Sequence, residues 1–125
     1  MTVTGTVYVS GNLQAGNSAT VSLGQIVWVG GGITLGNASS LSGPQTVVAY
    51  GSILFGNTDV IGNAQMQLII STNGGITLGN SDQLSGYLYA PTAGASIGNS
   101  VNVTGSIIAT SVTIGNSCLI TYGWN

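Results

Sequence analysis

The chain has 125 residues, no Lys, Arg or His, and two acids, Asp59 and Asp82. An average domain is about 25% charged; this one is 2% charged. Nucleic-acid binding, cationic phosphoryl clamps, His-dependent nucleophilic catalysis and ordinary zinc sites all lack their side chains, so neither an enzyme nor a nucleic-acid or nucleotide binder is expected.

Hydrophobic residues make up 43% of the chain, enough for a core, and the length suits one domain. Gly, Asn, Ser and Thr interrupt every apolar run, so no transmembrane helix of about 18 residues is expected. Val, Ile, Thr, Tyr, Gly and Asn dominate, which is the composition of strands and tight turns. The opening residues, MTVTGTVYVS, carry no basic region followed by an apolar stretch. They read as a strand rather than a leader, which fits a cytosolic product or a mature segment equally.

The Gly-Asn dipeptide then recurs along the chain. The pairs ending at Asn17, Asn37, Asn57, Asn80, Asn99 and Asn116 are 20, 20, 23, 19 and 17 residues apart. GGITLGNASSLSG (31–43) nearly repeats as GGITLGNSDQLSG (74–86), with 10 of 13 positions identical. In chain order, the first unit places Leu13 and Ala15 around Gln14, then Val21, then an apolar run from Ile26 to Val29. The second places Ile33 and Leu35 around Thr34, then Leu41, then Val47 to Ala49. The third has Ile53 and Phe55 around Leu54, Ile61, and Met66 to Ile70. The fourth has Ile76 and Leu78 around Thr77, Leu84, and Leu88 to Ala90. The fifth has Ala95 and Ile97 around Ser96, Val103, and Ile107 to Ala109. The sixth has Val112 and Ile114 around Thr113, then Ile120. Two Gly-Asn pairs, at Asn12 and Asn63, fall off this register.

Alternation with period two marks half-buried strands. Three short strands per unit of about 20 residues predict one coil of a three-sided, single-stranded β-solenoid, all-β, with about six coils. At about 4.8 Å per coil the stack is about 29 Å tall. A meander of hairpins is the competing fold, but it does not predict the same apolar columns in every unit. Gly and Asn are expected at the corners because both tolerate positive φ, and the stacked Asn17, Asn37, Asn57, Asn80, Asn99 and Asn116 are expected to form a hydrogen-bonded ladder. Residues 1–125 read as a single domain, with 1–12 a partial coil or exchangeable strand and 13–125 the repeat coils.

The coil columns, and above all Tyr89-Ala90-Pro91 followed by Gly105-Ser106-Ile107-Ile108-Ala109, resemble the β-solenoid domains at the C-terminal ends of some type IV pilus-associated surface proteins. More loosely, the plan is similar to the bactofilins, polymer-forming cytoskeletal solenoids. The resemblance implies a right-handed solenoid. It also implies a structural role at the cell surface, with a surface or pilus partner, or a cytoplasmic scaffold. The chain differs from the pilus-associated proteins in lacking an N-terminal hydrophobic helix, and from bactofilins in lacking a charged tail.

Both ends of a solenoid are open sheet edges, and this chain carries no Lys gatekeeper and almost no charge to blunt them. Val3-Thr4-Gly5-Thr6-Val7 aligns with Val103-Thr104-Gly105-Ser106-Ile107, so the chain spans close to an integer number of coils. Head-to-tail stacking into an open homopolymer is therefore expected, through Val3, Val7 and Val9 at one end and Leu119, Ile120, Tyr122 and Trp124 at the other. A monomer whose terminal strands fold over the ends is the alternative, and a variant has Thr2 to Ser10 reaching into a neighbour as an added strand, hinged near Asn12. The competing functions are an adhesin or pilus-associated binding module and a cytoskeletal scaffold.

Asp59 and Asp82 each lie two residues after their ladder Asn, which puts them on adjacent coils about 5 Å apart. They read either as two solvated carboxylates on a face or as a Ca²⁺ site; no other cofactor is expected. The column Thr34, Thr77 and Thr113 suggests an ice-binding face, but Gln14, Leu54 and Ser96 interrupt it. Trp28, Tyr50, Tyr87, Tyr89, Tyr122 and Trp124 are candidates for lateral contacts. Asn37-Ala38-Ser39 and Asn102-Val103-Thr104 match the glycosylation pattern, which matters only on an exported chain. Cys118 has no intramolecular partner and reads as a half-buried small side chain or an intermolecular bridge.

Overall fold

The computed structural model describes residues 5–22, 26–42, 46–62 and 67–121. Among these the chain is all-β, a parallel β-solenoid of about five turns with about 20 residues per coil. Each of the three faces stacks six rungs, with five coil-to-coil steps between the first and the last.

The first face stacks β1 (Thr6–Val9), β4 (Ile26–Val29), β7 (Thr46–Ala49) and β10 (Gln67–Ser71), then residues 86–90 of β12 (Gln83–Ile97) and 105–109 of β13 (Asn102–Ile114). The second face stacks β2 (Leu13–Ala15), β5 (Ile33–Leu35), β8 (Ile53–Phe55) and β11 (Ile76–Leu78), then 95–97 and 112–114. The third stacks β3 (Thr20–Ser22), β6 (Ser40–Ser42) and β9 (Val60–Ile61), then 83–85, 102–104 and β14 (Leu119–Thr121). Every pairing is parallel, because each coil returns in the same direction one rung higher.

The period-two pattern of the sequence becomes inward columns. Val7, Val27, Val47, Ile69, Leu88 and Ile107 face the core from the first face. Leu13, Ile33, Ile53, Ile76, Ala95 and Val112 align on the second, and Val21, Leu41, Ile61, Leu84, Val103 and Ile120 on the third. Ile53, Ile61, Ile69 and Ile76 are fully buried. Each such side chain contributes roughly 1.5–3 kcal/mol by burial, so the core is one continuous apolar rod.

Coil length varies where the corners vary. The register of β12 against β13 shifts between Ala90 and Gly94, so Pro91, Thr92 and Ala93 bulge out beside the single Thr110. Proline is tolerated there because a bulge asks for no ladder N–H. This bulge accounts for the step from 19 to 17 residues between the last ladder Asn residues. β12 and β13 each run round a corner at a glycine, and at Gly105 (φ +140°) an added Cβ would collide with the Gly86 carbonyl.

Positive φ falls only in part where expected: the corner glycines Gly5, Gly62 and Gly105 adopt it, at 82°, 86° and 140°. In the six in-register Gly-Asn pairs neither Gly nor Asn does; the residue after Asn does, at Ser18, Ala38, Thr58, Ser81, Ser100 and Ser117, with φ of 57–62°. The glycine of the pair is required by contact instead. A Cβ on Gly98 would stand 2.6 Å from the Gly79 carbonyl oxygen, and one on Gly56 2.7 Å from the Asn37 Oδ1.

Candidate functional site

The corner between the second and third faces carries a hydrogen-bonded ladder that runs the full height of the stack. The side-chain Oδ1 of each Asn accepts the backbone N–H of the Asn one rung above: Asn17 from Asn37, Asn37 from Asn57, Asn57 from Asn80, Asn80 from Asn99, and Asn99 from Asn116, each at 2.8 Å. The positive-φ residue completes the exchange. Ser18 donates its N–H to the Asn37 carbonyl, Ala38 to Asn57, Thr58 to Asn80, Ser81 to Asn99 and Ser100 to Asn116, each at 2.8 Å. The left-handed conformation aims that N–H along the stack axis, which repays its strain of roughly 1–2 kcal/mol. The expected side-chain ladder is thus a side-chain-to-backbone ladder with a direction.

That direction makes the two ends different and complementary. Among the described residues, the first rung offers the Asn17 N–H as donor and its C=O as acceptor, with no rung below. The last rung offers the Asn116 Oδ1 as acceptor and the Ser117 N–H as donor, with no rung above. The glycines follow suit: a Cβ on Gly16 or on Gly11 meets nothing within 4 Å, whereas Gly115 is hemmed in by the Gly98 backbone at 2.7 Å.

The apolar columns also end open. Ile114 is 49% exposed where Ile97 below it is 3%, and Ile120 is 37% exposed where Val103 is 1%. Of the residues expected at the ends, Val7 and Val9 are half-buried against the core in the first rung. Leu119 and Ile120 are exposed in the last. Val3, Tyr122 and Trp124 lie outside the described residues, as does most of the Thr2-to-Ser10 segment's beginning and the off-register Asn63.

Asp59 and Asp82 do stand on adjacent rungs, since Val60 pairs Gln83. They are not solvated: both are fully buried. Their column holds Ala19, Ser39, Asp59, Asp82, Val101 and Cys118, and it points inward beside the ladder. Asp82 accepts the Asp59 N–H at 2.7 Å and the Gly79 N–H at 2.8 Å, and Asp59 accepts the Ser39 N–H at 2.8 Å. Asp59 Oδ2 is buried without a partner. Burial raises both carboxyls above the usual range, Asp82 to about 6, against the lowering effect of the N–H donors. This is a poor Ca²⁺ site. Three of four oxygens already accept N–H bonds, a cation needs six to eight oxygens, and no group of three or more His, Cys, Asp or Glu occurs among the described residues. The sequence carried the signal for burial, because every other member of this column is small or apolar.

The outer surfaces of the three faces differ. The second face carries Gln14, Thr34, Leu54, Thr77, Ser96 and Thr113 outward in one column, with Leu54 44% exposed as the interruption. The first face instead carries Tyr8, Trp28, Val48, Ile70, Tyr89 and Ile108. Tyr8, 74% exposed, begins this ribbon and extends the aromatic set read from sequence. Tyr50 stands at the corner beyond Val48. Cys118 is half-buried in the last rung, its thiol donating to the Gly98 carbonyl.

Fold and site together define a parallel β-solenoid with an axial polarity. The chain belongs to the family described as a domain of unknown function, DUF7305, whose model matches residues 1–123. No curated protein and no solved structure matches it. No helix among the described residues is long and apolar enough to cross a membrane.

Proposed function

We propose that the chain is a structural subunit that stacks head to tail into a filament at the cell surface or outside the cell. The reading rests on the complementary ends of the Asn ladder. Placing Asn17 of one copy over Asn116 of another continues the ladder, with Asn17 N–H donating to Asn116 Oδ1 and Ser117 N–H donating to the Asn17 carbonyl. Two otherwise open core cross-sections then cover each other, each Å² of apolar surface contributing about 25 cal/mol. The backbone groups of both sheet edges gain partners. Assembly needs no nucleotide, cofactor or catalysis, and with a net charge of −2 the subunits repel one another little. The surface location rests on the resemblance to pilus-associated solenoids.

A second reading, a pilus-associated binding module, is favoured by the aromatic ribbon of the first face. Electron microscopy of the purified chain distinguishes them. Filaments with an axial subunit repeat of about 29 Å are expected from six rungs of about 4.8 Å. Isolated particles at every concentration would rule out the stacking reading.

A further inference from the structure

We propose that the first face carries a binding site for a quaternary ammonium group, of the kind found on choline-bearing ligands, in the cleft between Tyr8, Trp28 and Tyr50. The inference is independent of whether the chain polymerises.

The cleft follows from the rung geometry. Tyr8, Trp28 and Val48 are consecutive members of one outward column, about 4.8 Å apart. The step from Trp28 to Val48 drops from a large ring to a small side chain. Tyr50 lies two residues beyond Val48, at the corner just past the end of β7, and lines the same cleft. Tyr8, Trp28 and Tyr50 are 74%, 51% and 59% exposed, while Val29 and Val48 are 3% and 8% exposed. Three projecting aromatics therefore flank an open cleft of about 160 Å³ over the Val48 side chain, with Gly30 and Thr72 at its margin.

The chemistry selects the occupant. Aromatic faces carry negative potential and attract cations without hydrogen bonds, each contact contributing about 0.5–2 kcal/mol. The chain has no cation of its own to fill or repel at the site, and its net charge is −2. An anionic ligand finds no counter-charge. Hydroxyls of Tyr8, Tyr50 and Thr72 and the Trp28 indole N–H could meet a sugar, but no carboxylate or amide side chain lines the cleft to fix one by paired hydrogen bonds. A flat aromatic track for a sugar chain is also missing, because Val48 and Ile70 follow Trp28 in the column. A methylated ammonium needs no donors or acceptors and buries its methyl groups against the rings and Val48.

Calorimetric titration of the whole chain with choline, its uncharged isostere 3,3-dimethylbutan-1-ol, and methyl glucoside tests this. Saturable choline binding in the millimolar range is expected, about tenfold or more tighter than the uncharged isostere. Trp28→Ala and Tyr50→Ala should each weaken it about tenfold, while Tyr89→Ala, farther along the same column, should not. Circular dichroism establishes that these exposed-site variants fold. Equal binding of the isostere would reduce the site to a merely apolar cleft and overturn the proposal. Absence of choline binding at tens of millimolar, or preferential binding of the glucoside, would overturn it too.

Discussion

At the scale of single residues, the inward column beside the ladder is the least ordinary feature. Ser39 shows what the site favours: its Oγ accepts the Ala19 N–H at 3.1 Å and donates to the Gly16 carbonyl at 3.0 Å. Asp59 meets the acceptor requirement, leaves one buried oxygen unpartnered, and faces a second carboxylate. Replacing Asp59 by Ser should therefore stabilise the fold at neutral pH by about 1–2 kcal/mol in urea titrations. Asp59→Ala should be less stable than Asp59→Ser by about 1 kcal/mol, since it strands the Ser39 N–H. The acids also set a pH dependence. Burial raises the Asp82 carboxyl to about 6 from 3.8, so between these values the folded chain binds more protons than the unfolded chain. Stability is then greatest below about pH 4 and falls as pH rises through about 6. The melting temperature should be higher at pH 4 than at pH 7.5; equal values would show that the pair is ionised at no cost, and the opposite order that the fold favours the ionised carboxylates.

At the scale of one coil, a rung is held to its neighbours by strand pairing, one Asn exchange and a glycine that permits close approach. Asn57→Ala removes the acceptor for the Asn80 N–H and should cost about 1 kcal/mol. Gly98→Ala is expected to cost more, roughly 1–3 kcal/mol, because its Cβ would meet backbone, the Gly79 carbonyl oxygen at 2.6 Å, which cannot rotate away. Urea titrations of both variants check the ranking. A Gly98→Ala chain as stable as the parent would mean that the coils can part at this corner without loss.

At the scale of the whole molecule, the same glycine column separates folding from assembly. Gly16 holds the position of Gly98 in the first coil, yet nothing lies within 4 Å of its would-be Cβ. Gly16→Ala should leave the stability unchanged or raise it slightly, by up to about 1 kcal/mol in urea titrations, through the unfolded chain. It should nevertheless stop head-to-tail stacking, because the incoming rung must occupy that space. Unaltered filaments from this variant, seen by electron microscopy, would place the subunit contact elsewhere.

Repetition made most of this architecture readable before any coordinates. Apolar residues two and four positions before each ladder Asn, and four after it, can satisfy a core only if every unit presents the same three faces, so coil, stack height and ladder follow from one-dimensional periodicity. What periodicity could not carry is anything that breaks it or runs across it. The Asp pair was placed on the correct rungs but read as solvated or cation-bound, because two acids break a column whose other members, Ala19, Ser39, Val101 and Cys118, are small or apolar and mark it as buried. The positive φ was assigned to Gly and Asn, although the backbone exchange demands it of the residue that follows. Tyr8, Trp28 and Tyr50 lie in different coils and meet only after the chain has wound round the core. The amino-acid sequence by itself determined a solenoid of nearly uncharged coils. The direction of its ladder, the complementarity of its ends and the aromatic cleft were decided by the tertiary structure, because each depends on contacts between residues about one full coil apart.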